Sequence, residues 1–149
     1  MYSKLFTTVV IGLVLLVVPP ALTLRYSIHS TRVIYFEALT RCIKNGGHLA
    51  AIEIAYQQTQ IWNAIQKAGL STGTFWTAGT DLGMEGAWLW LSRNKPVGSV
   101  QGWTNWMDGE PNNAGGTAHC LAMVGGTGNG QWGDFSCESV NHYVCEYAD

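Results

Sequence analysis

The sequence predicts a single, loop-rich α+β domain. Seven tryptophans and eighteen glycines in 149 residues indicate large side chains packed among tight turns, which favours a β or α+β domain over a helix bundle. Two stretches with helical periodicity lie in the first half of the chain, and short apolar runs bounded by Gly, Asp and Asn follow them. A hydrophobic content of 47% is enough for one core.

The N-terminus indicates export. Lys4 precedes an uncharged run over residues 5–18 that two prolines end. This run is shorter than the roughly 20 residues of a membrane span, so a signal anchor is less favoured than a cleaved signal peptide. We assign residues 1–23 to a secretory signal peptide, with cleavage near residues 21–24, and residues 24–149 to the domain. We therefore expect a secreted, extracellular protein with no stable membrane span.

The next segment predicts a short strand at residues 25–28 and then a helix. The hydroxyls of Ser30 and Thr31 are predicted to cap this helix. Its buried face is indicated by apolar residues at i, i+3, i+4, i+7 and i+8, which are Tyr35, Ala38, Leu39, Cys42 and Ile43. The helix is expected to end at Gly46-Gly47.

A second helix is predicted from Ile61, Ile65 and Ala68, which recur at i, i+4 and i+7 before a stop at Gly69. The other face of this helix carries polar side chains, namely Gln57, Gln58, Gln60, Gln66 and Lys67. We expect that polar face to be solvated.

Short apolar or aromatic runs predict the strands. They cover residues 48–52, as a brief strand or extended link, and then 75–78, 87–91 and 142–145. Trp88 and Trp90 share one face of the 87–91 run while apolar residues share the other, so this strand is expected to be buried on both faces. Residues 92–130 carry little regular signal, and a loop of that length in a compact domain is usually functional.

The charge pattern and motifs exclude two classes of function. Only 12% of residues are charged, the net charge is −2, and the eight Lys and Arg are scattered, so we expect no nucleic-acid partner. No Ser, His and acid combination occurs in a nucleophile-elbow context, and Glu110 with Asp134 as a glycosidase pair lacks a supporting cleft signature. We expect no enzymatic activity.

Two further patterns resemble binding motifs but do not indicate a dinucleotide-binding site or a zinc site. Gly128-x-Gly130-x-x-Gly133 fits the dinucleotide-binding fingerprint, but no βαβ unit surrounds it. A zinc site drawn from His119, His142 and the nearby cysteines has no usual zinc spacing. Four cysteines in an exported chain indicate two disulfides instead, in one of three pairings.

The stretch from 110 to 134 contains the most informative polar residues. Glu110, Asn112 and Asp134 supply two carboxylates and a carboxamide in a loop shaped by Pro and Gly. Such oxygens suit Ca²⁺, and acidic and amide side chains also suit sugar hydroxyls. The alternative is that these residues only shape the loop, because Pro, Asn and Asp also favour turns.

Together these features resemble a C-type lectin-like domain over about residues 25–149. The resemblance is carried, in order, by Cys42, Gly46-Gly47-His48-Leu49-Ala50, Trp76-Thr77-Ala78-Gly79, Trp88-x-Trp90, Glu110-Pro111-Asn112, Cys120, Trp132-Gly133-Asp134, Cys137 and Cys145. It implies an α+β fold with two helices flanking antiparallel strands and a long irregular loop region that binds the ligand. Four cysteines resemble the short form of the family, which implies pairing of Cys42 with Cys145 and of Cys120 with Cys137.

In sugar-binding members, one Ca²⁺ is held by a Glu-Pro-Asn motif with a cis proline, a Glu two residues before a cysteine, and a Trp-Asn-Asp motif. The resemblance therefore assigns Glu110, Asn112 and Asp134 to both metal and carbohydrate binding, and Glu-Pro-Asn goes with mannose-type ligands. Ala118 stands where the upstream Glu is expected, and Gly133 stands where the Asn is expected.

These two departures lead us to expect Ca²⁺ binding that is weak or absent, since Ca²⁺ takes about six to eight oxygen ligands. The expected function is that of a secreted, mannose-type carbohydrate-binding lectin whose partners are glycans or glycoproteins. The alternative is a Ca²⁺-independent lectin-like domain that binds a protein or another surface ligand. Trp103 and Trp106 are the tryptophans predicted to lie outside the core and stack on sugars.

Overall fold

The computed structural model describes residues 23–148. Within these residues, two helices, α1 (Tyr35–Lys44) and α2 (Ala55–Lys67), accompany eight strands. The strands are β1 (Leu24–Val33), β2 (His48–Leu49), β3 (Thr74–Thr80), β4 (Leu89–Trp90), β5 (Lys95–Pro96), β6 (Ala118–Val124), β7 (Trp132–Ser136) and β8 (Asn141–Ala148). The α+β class is confirmed. The predicted signal peptide falls almost entirely on residues outside the described range, and neither described helix has the length and apolar character needed to cross a membrane.

The eight strands join one mixed, mostly antiparallel sheet. Strand β1 pairs antiparallel with β8 and so brings the two ends of the domain together, while β8 runs parallel to β3. From β3 the sheet continues antiparallel to β4 and β6, and β6 pairs in turn with β7. This last pair carries the second half of the 110–134 stretch, so the sheet itself positions Asp134.

Helix α1 begins without the predicted hydroxyl cap. Its N-cap residue is Ile34, with no side-chain hydrogen bond, and Ser30 and Thr31 lie within β1. The prediction was wrong because β1 continues to Val33, and Ser30 and Thr31 lie in the irregularity between its paired residues His29 and Val33. The helix start is instead bonded to a distant loop, where the Tyr35 N–H donates to the Cys137 carbonyl at 3.0 Å.

The buried faces of both helices are narrower than their apolar patterns predict. In α1, Tyr35, Ala38 and Cys42 are fully buried, whereas Ile43 is 55% exposed. In the second helical segment, Ile61 and Ile65 are buried. Ala68 lies just after the end of α2 and is exposed.

The strand predicted at residues 87–91 is shorter and is buried on one face only. Trp88 and Trp90 pack into the core, but Leu89 and Leu91 are exposed. The expectation of burial on both faces was wrong because only the tryptophan face of β4 packs against the core.

The 92–130 interval is less irregular than predicted. It contains β5, a 3₁₀ turn at Ala114–Gly116, and the seven-residue strand β6 between β3 and β7. The sequence of β6, Ala-His-Cys-Leu-Ala-Met-Val, is an apolar run that indicates a strand by itself. The irregular backbone therefore concentrates before β6, in the segment that carries Glu110 and Asn112.

Both disulfides implied by the resemblance are present. Cys42 is bonded to Cys145 with a Cα–Cα distance of 5.4 Å, and Cys120 to Cys137 with 5.2 Å. The first ties α1 to β8, and the second closes the segment that contains β7. With the cysteines paired in this way, the zinc arrangement that uses them is excluded.

Trp132 is the centre of an aromatic cluster in the core. The rings of Trp90, Trp103 and Trp106 meet it nearly edge-on, at centroid distances of 5.4, 5.4 and 5.7 Å. Trp103 and Trp106 are thus partly buried against the core rather than projecting as free stacking platforms. Trp106 and Trp88 both line a surface hollow.

The polar face of α2 is not uniformly solvated, because Gln58 is only 3% exposed. Its Nε2 donates to the carbonyls of Asn129 and Gly130 at 2.7 and 3.0 Å. Its Oε1 accepts from the indole N–H of Trp132 at 2.9 Å. A glutamine among other glutamines gives no sequence signal of this role, which depends on partners more than seventy residues away.

We predict that Gln58→Ala lowers the free energy of unfolding by on the order of 3 kcal/mol, because it leaves buried donors and acceptors without partners. Gln66→Ala, an exposed glutamine on the same helix, is the matched control and should change stability by about 0.5 kcal/mol or less. Urea denaturation of the disulfide-bonded protein measures both. Equal values for the two variants would contradict the role assigned to Gln58.

Candidate functional site

The three predicted site residues line one surface hollow. Glu110 and Asn112 lie on the loop after Trp106, and Asp134 lies on β7. The Glu110–Pro111 peptide bond is cis. The hollow has a volume of about 310 Å³ and also contains Met107, Ala114, Thr117, Ala118, Phe135 and Ser136 in its lining. Two carboxylates and one carboxamide are therefore brought together from two separate segments.

Asp134 ties the loop to the sheet. Its side chain accepts the backbone N–H of Asn112 at 3.1 Å and that of Asn113 at 2.8 Å, one on each carboxylate oxygen. The residue is only 6% exposed, and hydrogen bonds to a charged, partly desolvated acceptor are stronger than neutral ones. The loop backbone is thus held against β7 by this one side chain.

Glu110 and Asn112 complete the network. Asn112 Nδ2 donates to Glu110 Oε1 at 2.6 Å, and the Asp134 N–H donates to Glu110 Oε2 at 3.3 Å. Asn112 Oδ1 accepts the N–H of Ala114 at 2.9 Å. Partial burial, and next the neighbouring Asp134 carboxylate, raises the pKa of the Glu110 carboxyl above its ordinary value.

Small residues, Ala118 and Gly133, occupy the two positions that depart from the expected ligand pattern. Ala118 is 2% exposed, and its N–H donates to Asn113 Oδ1 at 3.2 Å. A Cβ added at Gly133 would lie 3.0 Å from Met107 Cε and 3.2 Å from Phe135 Cε2. The floor of the hollow beside the carboxylates is therefore apolar.

The predicted ligand set does not by itself fit a Ca²⁺ ion, which takes about six to eight oxygens. The set of Glu110, Asn112 and Asp134 supplies five side-chain oxygens, and each already accepts an N–H of the protein. Ala118 and Gly133 add no side-chain oxygen. Even if all five oxygens turned to one cation, they would fall short of that number, and water would have to supply the remaining ligands.

Matches to known proteins agree with this fold. The family model of the Lectin C-type domain matches residues 31–147. This chain belongs to the C-type lectin family. Perlucin from Haliotis laevigata is 33% identical over 112 residues, which cover 75% of this chain and 68% of perlucin. Collectin-11 from Danio rerio is 33% identical over 113 residues, but the match covers 76% of this chain and only 38% of collectin-11.

Solved structures share the same architecture. The carbohydrate-recognition domain of the mouse scavenger receptor C-type lectin matches with a TM-score of 0.72 and 27% identity, over 84% of this chain and 90% of that domain. The C-type lectin-like fold inferred from the sequence is therefore confirmed. Domains of this family generally bind carbohydrate or protein rather than catalyse reactions, which agrees with the expectation of no enzymatic activity.

One polar cluster of the lectin domain was not predicted from the sequence. His119 Nδ1 lies 2.9 Å from Asp81 Oδ1 and 3.4 Å from Glu85 Oε2. Asp81 follows β3, and His119 lies on β6, which pairs with β3. Only the β3–β6 pairing brings these residues together, so their separation in sequence conceals the cluster.

We predict that Asp134→Ala loosens the 110–118 loop of the lectin domain, because two backbone N–H groups lose a charged acceptor worth roughly 1.5–3 kcal/mol each. Amide hydrogen exchange at Asn112 and Asn113 should accelerate markedly. Asp108→Ala, which removes an exposed carboxylate from the same loop, is the matched control and should leave both rates unchanged. If Asn112 and Asn113 exchange equally fast in both variants, Asp134 does not hold the loop.

Proposed function

We propose that this C-type lectin domain is a secreted glycan-binding module that takes mannose-type sugars through Glu110, Asn112 and Asp134. The observation that carries the proposal is the convergence of these three side chains on one open hollow. The similarity to the carbohydrate-recognition domain of the mouse scavenger receptor C-type lectin supports it. The proposed partners are glycans and glycoproteins, and the net charge of −2 gives no reason to add nucleic acid.

The hydrogen-bonding capacity of the hollow suits sugar hydroxyls. Each carboxylate oxygen has more than one acceptor position, so an oxygen that already accepts an N–H retains capacity for a hydroxyl donor. The loop network orients these oxygens before the ligand arrives, which lowers the entropic cost of binding. The apolar floor formed by Met107 and Phe135 suits the C–H face of a sugar ring.

We propose further that Ca²⁺ contributes weakly or not at all to this binding. Glu110, Asn112 and Asp134 offer five side-chain oxygens, fewer than the roughly six to eight that Ca²⁺ takes, and Ala118 and Gly133 supply no further side-chain oxygen. The same observation favours a second candidate function, in which the domain recognises a protein or another surface ligand independently of Ca²⁺. The two candidates differ in whether a free sugar competes for the site.

We predict that Glu110→Gln and Asn112→Ala each weaken binding to immobilised mannose by about tenfold or more, since a hydrogen bond with a charged partner contributes roughly 1.5–3 kcal/mol. Asp108→Asn, an exposed acid two residues before Glu110, is the control and should bind like the parent protein. Free mannose should compete better than free galactose, and a chelator should have little effect. Mannose binding that is unchanged in Glu110→Gln would reject this site, and absence of sugar binding with or without Ca²⁺ would favour the second candidate.

We also predict that the double variant Ala118→Glu with Gly133→Asn gains stabilisation by about millimolar Ca²⁺, because a ligand that binds the folded state raises the melting temperature by mass action. The new asparagine requires that the flexible end of Met107 and the edge of the Phe135 ring shift by a few tenths of an ångström. Ala118→Gln with Gly133→Asn has nearly the same shape without the added charge and is the matched control. Thermal unfolding with Ca²⁺ and with chelator measures the effect, and a folded double variant that ignores Ca²⁺ would show that these positions are wrongly matched.

A further inference from the structure

A hollow rich in hydrogen-bond donors lies at the end of helix α1. It has a volume of about 340 Å³ and is lined by Arg41, Lys44, Asn45 and Tyr143. Arg41 and Lys44 occupy the last turn of α1, Asn45 is its C-cap, and Tyr143 lies on β8. The hollow that contains Glu110 shares no lining residue with this one, so the two are separate sites.

The part of the chain that forms this hollow is positively charged, although the whole protein is not. Residues 24–48, which form β1, α1 and β2, carry four Lys or Arg and one Glu, a formal charge of +3. Residues 49–148 carry three Lys or Arg and eight Asp or Glu, a formal charge of −5. The net charge of the protein conceals this asymmetry, which favours an anion beside α1 over the rest of the molecule.

The Arg41 guanidinium is held in a fixed orientation beside the hollow. Its Nε and Nη2 both donate to Glu37 Oε1, at 3.0 and 2.7 Å, from one helical turn away. Hydrogen bonds with Glu37 and next with Tyr143 raise the pKa of Arg41 above its ordinary value. A guanidinium has five N–H donors in a planar fork. These bonds therefore fix its plane and still leave donors for a ligand.

Tyr143 forms the buried wall of the hollow. It is only 3% exposed, and its ring is stacked on that of His29 with a centroid distance of 4.4 Å. His29 Nε2 lies 2.7 Å from Ser27 Oγ, and His29 is paired with Tyr143 in the sheet. The phenol is thus held by β1 and β8. Because it accepts from Arg41, it keeps its own O–H to donate.

Lys44 supplies a positive charge that no carboxylate neutralises. Within the described residues it forms no ion pair, and both Lys44 and Asn45 are exposed. The C-terminus of a helix carries about half a negative charge, which opposes an anion. However, the carbonyls of Arg41, Cys42 and Ile43 already accept backbone N–H groups. The full charge of Lys44 therefore outweighs the helix dipole here.

We propose that Arg41, Lys44, Asn45 and Tyr143 bind a tetrahedral oxyanion, the sulfate or phosphate group of a ligand. Each of the four side chains offers an N–H or O–H donor, and they reach the hollow from two elements, α1 and β8. A tetrahedral group presents three or four oxygens to such donors, whereas a planar carboxylate presents two. Arginine forks and lysine ammonium groups are the usual protein partners of these anions.

An NMR titration of the disulfide-bonded, ¹⁵N-labelled protein with sodium sulfate tests the proposal. The side-chain amide of Asn45 and the backbone amide of Gly46 should shift saturably, and sodium chloride at the same ionic strength should have little effect. Sodium acetate, a planar anion, should bind more weakly. Galactose 6-sulfate compared with galactose separates the two sources, because an esterified sulfate shifts Asn45 only if the site accepts a sulfated sugar as well as the free anion.

Two matched variants make the test specific. Lys44→Gln should weaken sulfate binding by about tenfold, since a hydrogen bond with a charged partner contributes at least that much. Lys67→Gln makes the same charge change on an exposed lysine in the last turn of the other helix and should bind sulfate like the parent. Arg41→Lys keeps the charge but loses the planar fork, so it should also weaken binding.

Glu110→Gln should leave sulfate binding unchanged, so failure of the glycan site and failure of this site are distinguishable. The oxyanion site is rejected if sulfate produces no saturable shift at Asn45, or if acetate binds as tightly as sulfate. Equal sulfate affinity in Lys44→Gln and Lys67→Gln would also overturn it, because the effect would then reflect net charge alone.

Discussion

Trp132, on strand β7, connects helix α2 and the loop before the candidate site to that strand. Its indole N–H is bonded to Gln58 on α2, its ring receives the edges of the loop tryptophans, and its backbone N–H and C=O bond to Asn105 and Met107 at 2.8 and 2.9 Å. A buried aromatic side chain contributes a large apolar area and, in tryptophan, one donor that needs a partner. Here the ring is buried and the indole N–H has an acceptor, so α2, the loop before the site and strand β7 are fixed relative to one another.

The candidate glycan site inherits its geometry from this arrangement. Asp134 lies two residues after Trp132 on the same strand, so its orientation is set by the packing of the tryptophan and by pairing with β6. The loop with Glu110 and Asn112 starts from Met107, whose backbone is bonded to Trp132. Rigid elements position functional groups more precisely than loops do. Here Asp134 lies on a strand, and its carboxylate holds the loop by accepting hydrogen bonds from the loop backbone.

The sequence predicted the features that depend on local pattern. The periodicity of Tyr35, Ala38 and Cys42 identified the first helix, and the ordered landmarks that resemble a lectin domain implied both disulfides. Features that depend on distant partners were missed. Gln58 is polar and lies among polar neighbours, yet it is buried because Trp132 needs an acceptor, and Asp81 meets His119 only through the pairing of β3 with β6. Strand β6 was not predicted because the glycines on both sides of it made the whole 92–130 interval resemble a loop.

Ala118 and Gly133 separate two properties that a metal-dependent lectin site would combine. One is the shape of the loop, and the other is the affinity for a cation. In this domain the N–H groups of Asn112, Asn113 and Asp134 balance the two carboxylates and hold the loop against β7. Such bonds are directional and need no cation, whereas Ca²⁺ affinity rises with the number and charge of oxygen ligands. Under the proposed function, the absence of side-chain oxygens at Ala118 and Gly133 lowers the affinity for Ca²⁺ but leaves the hydrogen bonds that shape the hollow in place. A site of this kind can retain recognition of hydroxyl groups because the acceptors stay in place and oriented.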